Sequence, residues 1–197
     1  MFKDLLSVFC RHSMLVISQV TVRIHAEAYS QQNVGLLQEI LGEYKEALES
    51  YKQYLELSRK NGDKKGIAQA YGLHGSVYAS LGNQSLSKTY HEQHVNLALK
   101  HGDPKMLSQS YEQMGDSCLK MSLFRDAVEC FTEMLKSCPK NDVEMQLTAL
   151  VKIGVAFKND RKYQYGLYYF EQARNIAEDF GLMDIATMCE YNVACIL

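Results

Sequence analysis

The 197-residue chain has no tryptophan, only two prolines and almost no net charge, with 21 basic residues against 23 acidic ones. The near-balance leaves no whole-chain electrostatic footprint for nucleic acid or a membrane surface, and neither is expected as a partner. Scarce proline beside plentiful Ala, Leu, Glu, Lys, Gln and Tyr favours helices over turn-rich β architecture, so an all-α chain is expected. The six cysteines, Cys10, Cys118, Cys130, Cys138, Cys189 and Cys195, show no CxxC spacing. They fall in helical stretches, which predicts reduced, buried thiols in a cytoplasmic protein. Long apolar runs are missing too: Asp4, Arg11, His12 and Gln19 cut the N-terminal stretch into pieces too short for a signal segment or a membrane span. A soluble intracellular protein is expected. There is no Gly-rich phosphate loop, carboxylate pair or nucleophile motif, so neither catalysis nor a cofactor is expected.

What the sequence has instead is a regular beat. Gly35, Gly75 and Gly115 are 40 residues apart and Gly154 follows after 39, each inside an apolar helical stretch. A glycine in a helix interior loses roughly 1 kcal/mol against alanine, so its recurrence indicates one helix packed closely on another. Twelve residues past each glycine stands a small residue, Ala47, Ser87, Ala127 or Gly166, and four residues later a ring, Tyr51, His91, Phe131 or Phe170. A period of this length signals a solenoid, a fold that mostly binds partners.

With the beat glycine as position eight, four modules fall at about 28–62, 63–102, 103–142 and 143–181, and 182–197 reads as a truncated fifth. Gly62-Asp63 offers a left-handed stop and an N-capping carboxylate, and Gly102-Asp103-Pro104 repeats it with proline where the first helical turn needs no N–H. Asn141 and Gly181 take the same slot, the third module running to about Cys138 with Pro139 to Asp142 as its terminator. Met183 to Leu197 is expected to be the first helix of a fifth module that is cut short, as in a fragment, an incomplete gene model or an array that continues in a partner copy. Residues 1–27 fit the module poorly and are assigned to an irregular segment or cap. Within them, Leu5, Leu6, Phe9 and Cys10 suit a helical face, whereas Met14 to Ile24 leaves strand, helix and disorder open.

The residues Tyr71-His74-Gly75, Tyr111-Met114-Gly115 and Leu150-Ile153-Gly154, the aromatics Tyr78 and Phe157, and Ala47 or Ala127 at position twenty resemble the tetratricopeptide repeat signature. Each pair is about six residues longer than the usual 34-residue module. That pitch, with Leu41-Gly42-Glu43-Tyr44-Lys45-Glu46-Ala47-Leu48, is similar to the arrays of Pins/LGN spindle-orientation adaptors and other long-helix arrays. The resemblance implies a right-handed α-solenoid of antiparallel helix pairs, the rings at positions eleven and twenty-four filling wedges between repeats. It also implies a non-catalytic scaffold or adaptor holding a peptide segment of a partner protein in its concave groove.

The family's groove positions map here onto Gln69 and Ser76, then Gln109, Glu112, Asp116 and Lys120, then Thr148, Val155, Lys158 and Asn159, with Leu36, Glu39 and Ile40 in the first repeat. Where the Pins/LGN arrays carry asparagine after the beat glycine, this chain has Leu36, Ser76, Asp116 and Val155, so their peptide specificity does not transfer. Lys120 and Asn159 do not form a carboxylate clamp, which argues against chaperone tails.

The other constellations read as packing. His91 and His94 have a spacing that two metal ligands use, but they occupy packing slots with no third ligand, and no metal is expected. A pH-sensitive weak point there is conceivable. Cys130 and Cys138 lie two turns apart on one face, about 12 Å, too far for a disulfide. Phe157, Tyr163, Tyr165, Tyr168, Tyr169 and Phe170 around Lys158, Arg161 and Lys162 have the composition of a single-strand nucleic-acid platform, yet register and turn positions account for them. The rival to a groove binder is an assembly element that self-associates end to end through the solenoid.

Overall fold

The computed structural model describes the backbone of residues 2–197 and side chains from Gln19 onward. Among the described residues it contains nine helices: α1 Phe2–Leu41, α2 Tyr44–Lys60, α3 Lys64–Ser80, α4 Gln84–His101, α5 Pro104–Lys120, α6 Phe124–Ser137, α7 Val143–Asn159, α8 Tyr163–Asp179 and α9 Met183–Ala194. Each packs on the next in sequence, and α3 also contacts α5, so the helices form a right-handed α-solenoid of antiparallel pairs.

The N-terminal residues differ from expectation. Among the described residues the backbone before Ala28 is helical rather than irregular: α1 runs unbroken from Phe2 to Leu41. The β-branched run that left strand open lowers helix propensity only slightly, and no glycine interrupts the chain before Gly35 and no proline before Pro104. The face proposed for Leu5, Leu6, Phe9 and Cys10 lies outside the described side chains.

The turns follow the beat. Gly42 and Gly82 take left-handed backbone (φ 79° and 72°) within repeats, and Gly62, Gly102 and Gly181 do so between them (φ 68°, 72° and 71°). The third and fourth repeats place Ser122 and Arg161 in the slot of Gly42 and Gly82, at φ 60° and 59°, a conformation unfavourable for a side-chain-bearing residue. Asp63, Asn83, Asp103 and Asp142 cap the next helix, their side chains accepting from backbone N–H groups of Gly66, Leu86, Lys105 and Met145. Asn141 does not repeat the Gly62 stop. Here α6 already ends at Ser137, because Cys138 precedes Pro139 and is driven to extended backbone (φ −57°, ψ 135°).

The beat glycines explain the helix pairs. A Cβ added at Gly35 would run into the Tyr51 ring, at Gly75 into His91, at Gly115 into Phe131 and at Gly154 into Phe170. Each ring is essentially inaccessible to solvent. It lies between the glycine of its own repeat and the following helix: Phe131 packs with Ala149, Ile153 and Ala156 of α7, and Phe170 with Ala186 and Cys189 of α9. Position eight and position twenty-four are thus two halves of one contact. Ala47, Ser87 and Ala127, at the small-residue slot, are equally buried.

Candidate functional site

The first helices of successive repeats, α1, α3, α5 and α7, share one face, because polar side chains reach across it from repeat to repeat. Lys120 of α5 lies 3.5 Å from the Ser80 hydroxyl of α3 and 3.7 Å from a Glu39 carboxylate oxygen of α1. The other Glu39 oxygen accepts from the Tyr51 hydroxyl at 3.1 Å, fixing the carboxylate from below. That contact and burial together push the Tyr51 phenol well above its usual range, burial being the larger cause. Around this pair Leu36, Ile40, Tyr44, Leu73, Ser76 and Ala79 line a cleft of about 680 Å³. Ile40 is 81% exposed.

Farther along, Lys152 of α7 donates to both Asp116 oxygens at 2.6 and 2.7 Å and lies 3.2 Å from Glu112 of α5. Its ammonium also lies 5.5 Å from the centroid of the Phe131 ring. Lys158 repeats the arrangement one repeat on, donating to Asn192 Oδ1 at 2.7 Å and lying 5.9 Å from the Phe170 centroid. A second cleft, about 200 Å³, is bounded by Lys65, Gln69, His94, Lys105, Gln109 and Gln113 among others. Gln69 there accepts from the Tyr54 hydroxyl at 3.1 Å.

The expected groove residues therefore fall into separate groups. Gln69 and Gln109 share one cleft, Ser76 and Lys120 another, and Glu112 and Asp116 converge on Lys152. Lys158 is engaged by α9, and Thr148 turns its hydroxyl back to the Glu144 carbonyl at 2.8 Å. Val155 packs against the apolar cluster around Phe170, and Asn159 is exposed at the end of α7. Sequence reasoning missed Lys152, Gln113 and Asn192. A signal for them exists: all three are polar residues at position six of consecutive modules. Lys152 and Asn192 reach back to the preceding repeat, and Gln113 would meet a Cβ added at Gly72 of α3.

His74, His91 and His94 are packing residues. His91 is buried on Gly75, with Nε2 2.7 Å from the Ser117 hydroxyl across the repeat boundary. Burial, reinforced by His94 and Lys120, lowers its pKa to about 3, and burial alone lowers that of His94 to about 4. His74, also lowered by burial, stacks on Tyr90 with centroids 5.1 Å apart. Among the described residues no three His, Cys, Asp or Glu side chains are grouped to hold a metal ion. The Tyr-rich stretch forms stacks, Phe157 on Tyr165 at 5.3 Å and on Tyr169 at 5.7 Å. No helix among the described residues is long and apolar enough to cross a membrane.

Comparison with known proteins agrees with this geometry. The tetratricopeptide repeat family model matches residues 28–61. Among solved structures, the chain is similar to aspartyl phosphate phosphatase F from Bacillus subtilis at 16% identity and a TM-score of 0.74, covering 93% of this chain and 48% of that one. It is similar to a putative kinesin light chain with nearly identical TPR-like repeats from Podosopora anserina, at 15% identity and a TM-score of 0.67, covering 85% and 84%. A Rap protein complexed with competence and sporulation factor matches at 17% identity and a TM-score of 0.65, covering 86% and 48%. The chain thus spans about half the length of the phosphatase and Rap chains. At these identities the likeness establishes the fold. Residues 28–61 thus match a tetratricopeptide repeat, and the helix pairs that follow on the same glycine beat share the fold of these solenoids.

Proposed function

We propose that the chain is a non-catalytic, cytoplasmic interaction adaptor whose first-helix face holds a segment of a partner protein. The observation that carries this reading is the cleft beside Lys120, where exposed Ile40 and Leu36 stand next to an anchored Glu39 carboxylate and a lysine. Apolar side chains flanked by fixed charges suit a peptide that buries an aliphatic residue while pairing its own polar groups. The Rap protein's complex with a factor supports the same use of a related solenoid. The test is affinity capture from lysate with wild type, Ile40→Arg and, as a control on the other face, Glu92→Arg. A partner retained by wild type and the control but lost with Ile40→Arg is expected; retention by all three would overturn the reading.

A second reading, end-to-end self-association, is supported by apolar side chains on the outer helices, Val20, Val22 and Tyr29 of α1 and Met188 and Tyr191 of α9, all exposed. Light scattering over a concentration series separates the two. A constant monomer mass supports the groove binder, and a mass rising with concentration supports assembly.

A further inference from the structure

We propose that Cys118 and Cys130 are a peroxide-oxidisable dithiol, a modification site at which a disulfide ties α5 to α6 within the third repeat. The two thiols stand on the facing helices α5 and α6 of one hairpin and belong to the same buried cluster. The hairpin is tightest next to them, because Gly115 lets the Phe131 ring lie directly on α5. Both cysteines also border a cleft of about 170 Å³, together with Ser87, Lys88, His91 and Asp126. Ser87 Oγ and His91 Nδ1 are buried without a partner in the protein, so the cleft offers hydrogen-bonding groups to a small polar reagent.

The pair is chemically asymmetric. The neighbouring Cys130 thiol lowers the Cys118 thiol below its usual pKa against the opposing effects of burial and Asp126, with Lys88 adding a smaller favourable field. The Cys118 side chain and burial push the Cys130 thiol up. Cys118 is therefore the nucleophile and Cys130 the resolving thiol.

The Cys118 thiolate attacks one oxygen of a hydroperoxide. An S–O bond forms, the O–O bond breaks, and the departing oxygen leaves with a proton as an alcohol or water. Cys118 is then a sulfenic acid. The Cys130 sulfur next attacks the Cys118 sulfur; the S–S bond forms, the S–O bond breaks, and hydroxide leaves as water with the Cys130 proton. Two thiols have lost two electrons and the peroxide has gained them. Because α5 also carries Glu112, Asp116 and Lys120, the cross-link fixes a helix that lines the proposed groove.

The test is peptide mapping of the reduced full chain after hydrogen peroxide, with remaining thiols alkylated. A linked peptide containing Cys118 and Cys130 is expected in wild type, cleaved by dithiothreitol and lost in Cys118→Ser. In Cys130→Ser, peroxide should leave a sulfenic acid on Cys118 that a dimedone-type reagent traps. If Cys118 and Cys130 both stay alkylatable at a peroxide dose that oxidises the exposed Cys195, or if Cys118 links to another cysteine, the proposal is wrong; the wild-type mapping decides this even if a variant fails to fold.

Discussion

At the scale of single residues, the close approach of two helices depends on an absent methyl group. Gly115 costs helix propensity, roughly 1 kcal/mol against alanine, yet a Cβ there would enter the Phe131 ring, which is sealed from solvent. Overpacking of this kind costs about 1–3 kcal/mol and outweighs the propensity gain. Gly115→Ala should therefore destabilise, by up to about 2 kcal/mol net of the propensity term, in urea unfolding; a stabilised variant would contradict the close-contact account. His91 is the odd ring of the four. Its folded pKa is about 3 against about 6.5 when unfolded, so the unfolded chain binds more protons between those values and stability falls as pH drops below about 6.5. His94, at about 4, adds to the same loss. The melting temperature should be flat above pH 7 and decline toward pH 5, where each histidine accounts for at most about 2 kcal/mol. His91→Phe, which supplies the ring of the neighbouring repeats, should flatten part of that decline; an unchanged acid limb would show that His91 is not its source.

At the scale of the elements, turn chemistry separates the first two repeats from the next two. Gly42 and Gly82 accept left-handed backbone freely, while Ser122 and Arg161 hold the same φ with a side chain attached. Ser122→Gly and Arg161→Gly should each raise stability by about 0.5–1 kcal/mol, less than the full left-handed penalty because glycine also frees the unfolded chain. Either variant destabilising in chemical denaturation would mean that the side chain contributes something the backbone geometry does not explain. The α5–α7 contact makes a different claim. Lys152 serves Glu112 and Asp116 at once, so Lys152→Ala leaves two carboxylates facing each other. A loss of about 1 kcal/mol at low salt is expected, shrinking as salt screens the repulsion; salt-independent destabilisation would point to lost packing on Phe131 instead.

At the scale of the whole molecule, the architecture was legible because its determinants repeat. The beat glycine, the small residue at position twenty and the ring at position twenty-four recur in register, and the structure joins glycine to ring in all four repeats. The helix starts at Asp63 and Pro104 were legible for the same local reason. The N-terminal helix was not, since β-branched residues weaken a helix signal without breaking a helix. The exit at Cys138 was legible from Pro139, although Asn141 does not take up the left-handed stop of Gly62. Least legible was the candidate site, because its pairings span a repeat or more: Asp116 to Lys152 is 36 residues and Lys120 to Ser80 is 40. Residues read singly as free groove contacts are thereby engaged with neighbouring repeats. In the proposed reading the partner occupies the cleft around Ile40 and the glutamine-lined cleft of Gln69 and Gln109. Photo-crosslinking measures that directly, with a photoreactive residue placed at Ile40, at Gln109 or, on the second helices, at Glu92 and Lys52, and the crosslinked segment identified by mass spectrometry. One partner segment captured at Ile40 and Gln109 but not at Glu92 or Lys52 is the predicted result; capture confined to Glu92 and Lys52 would contradict the groove as the binding face.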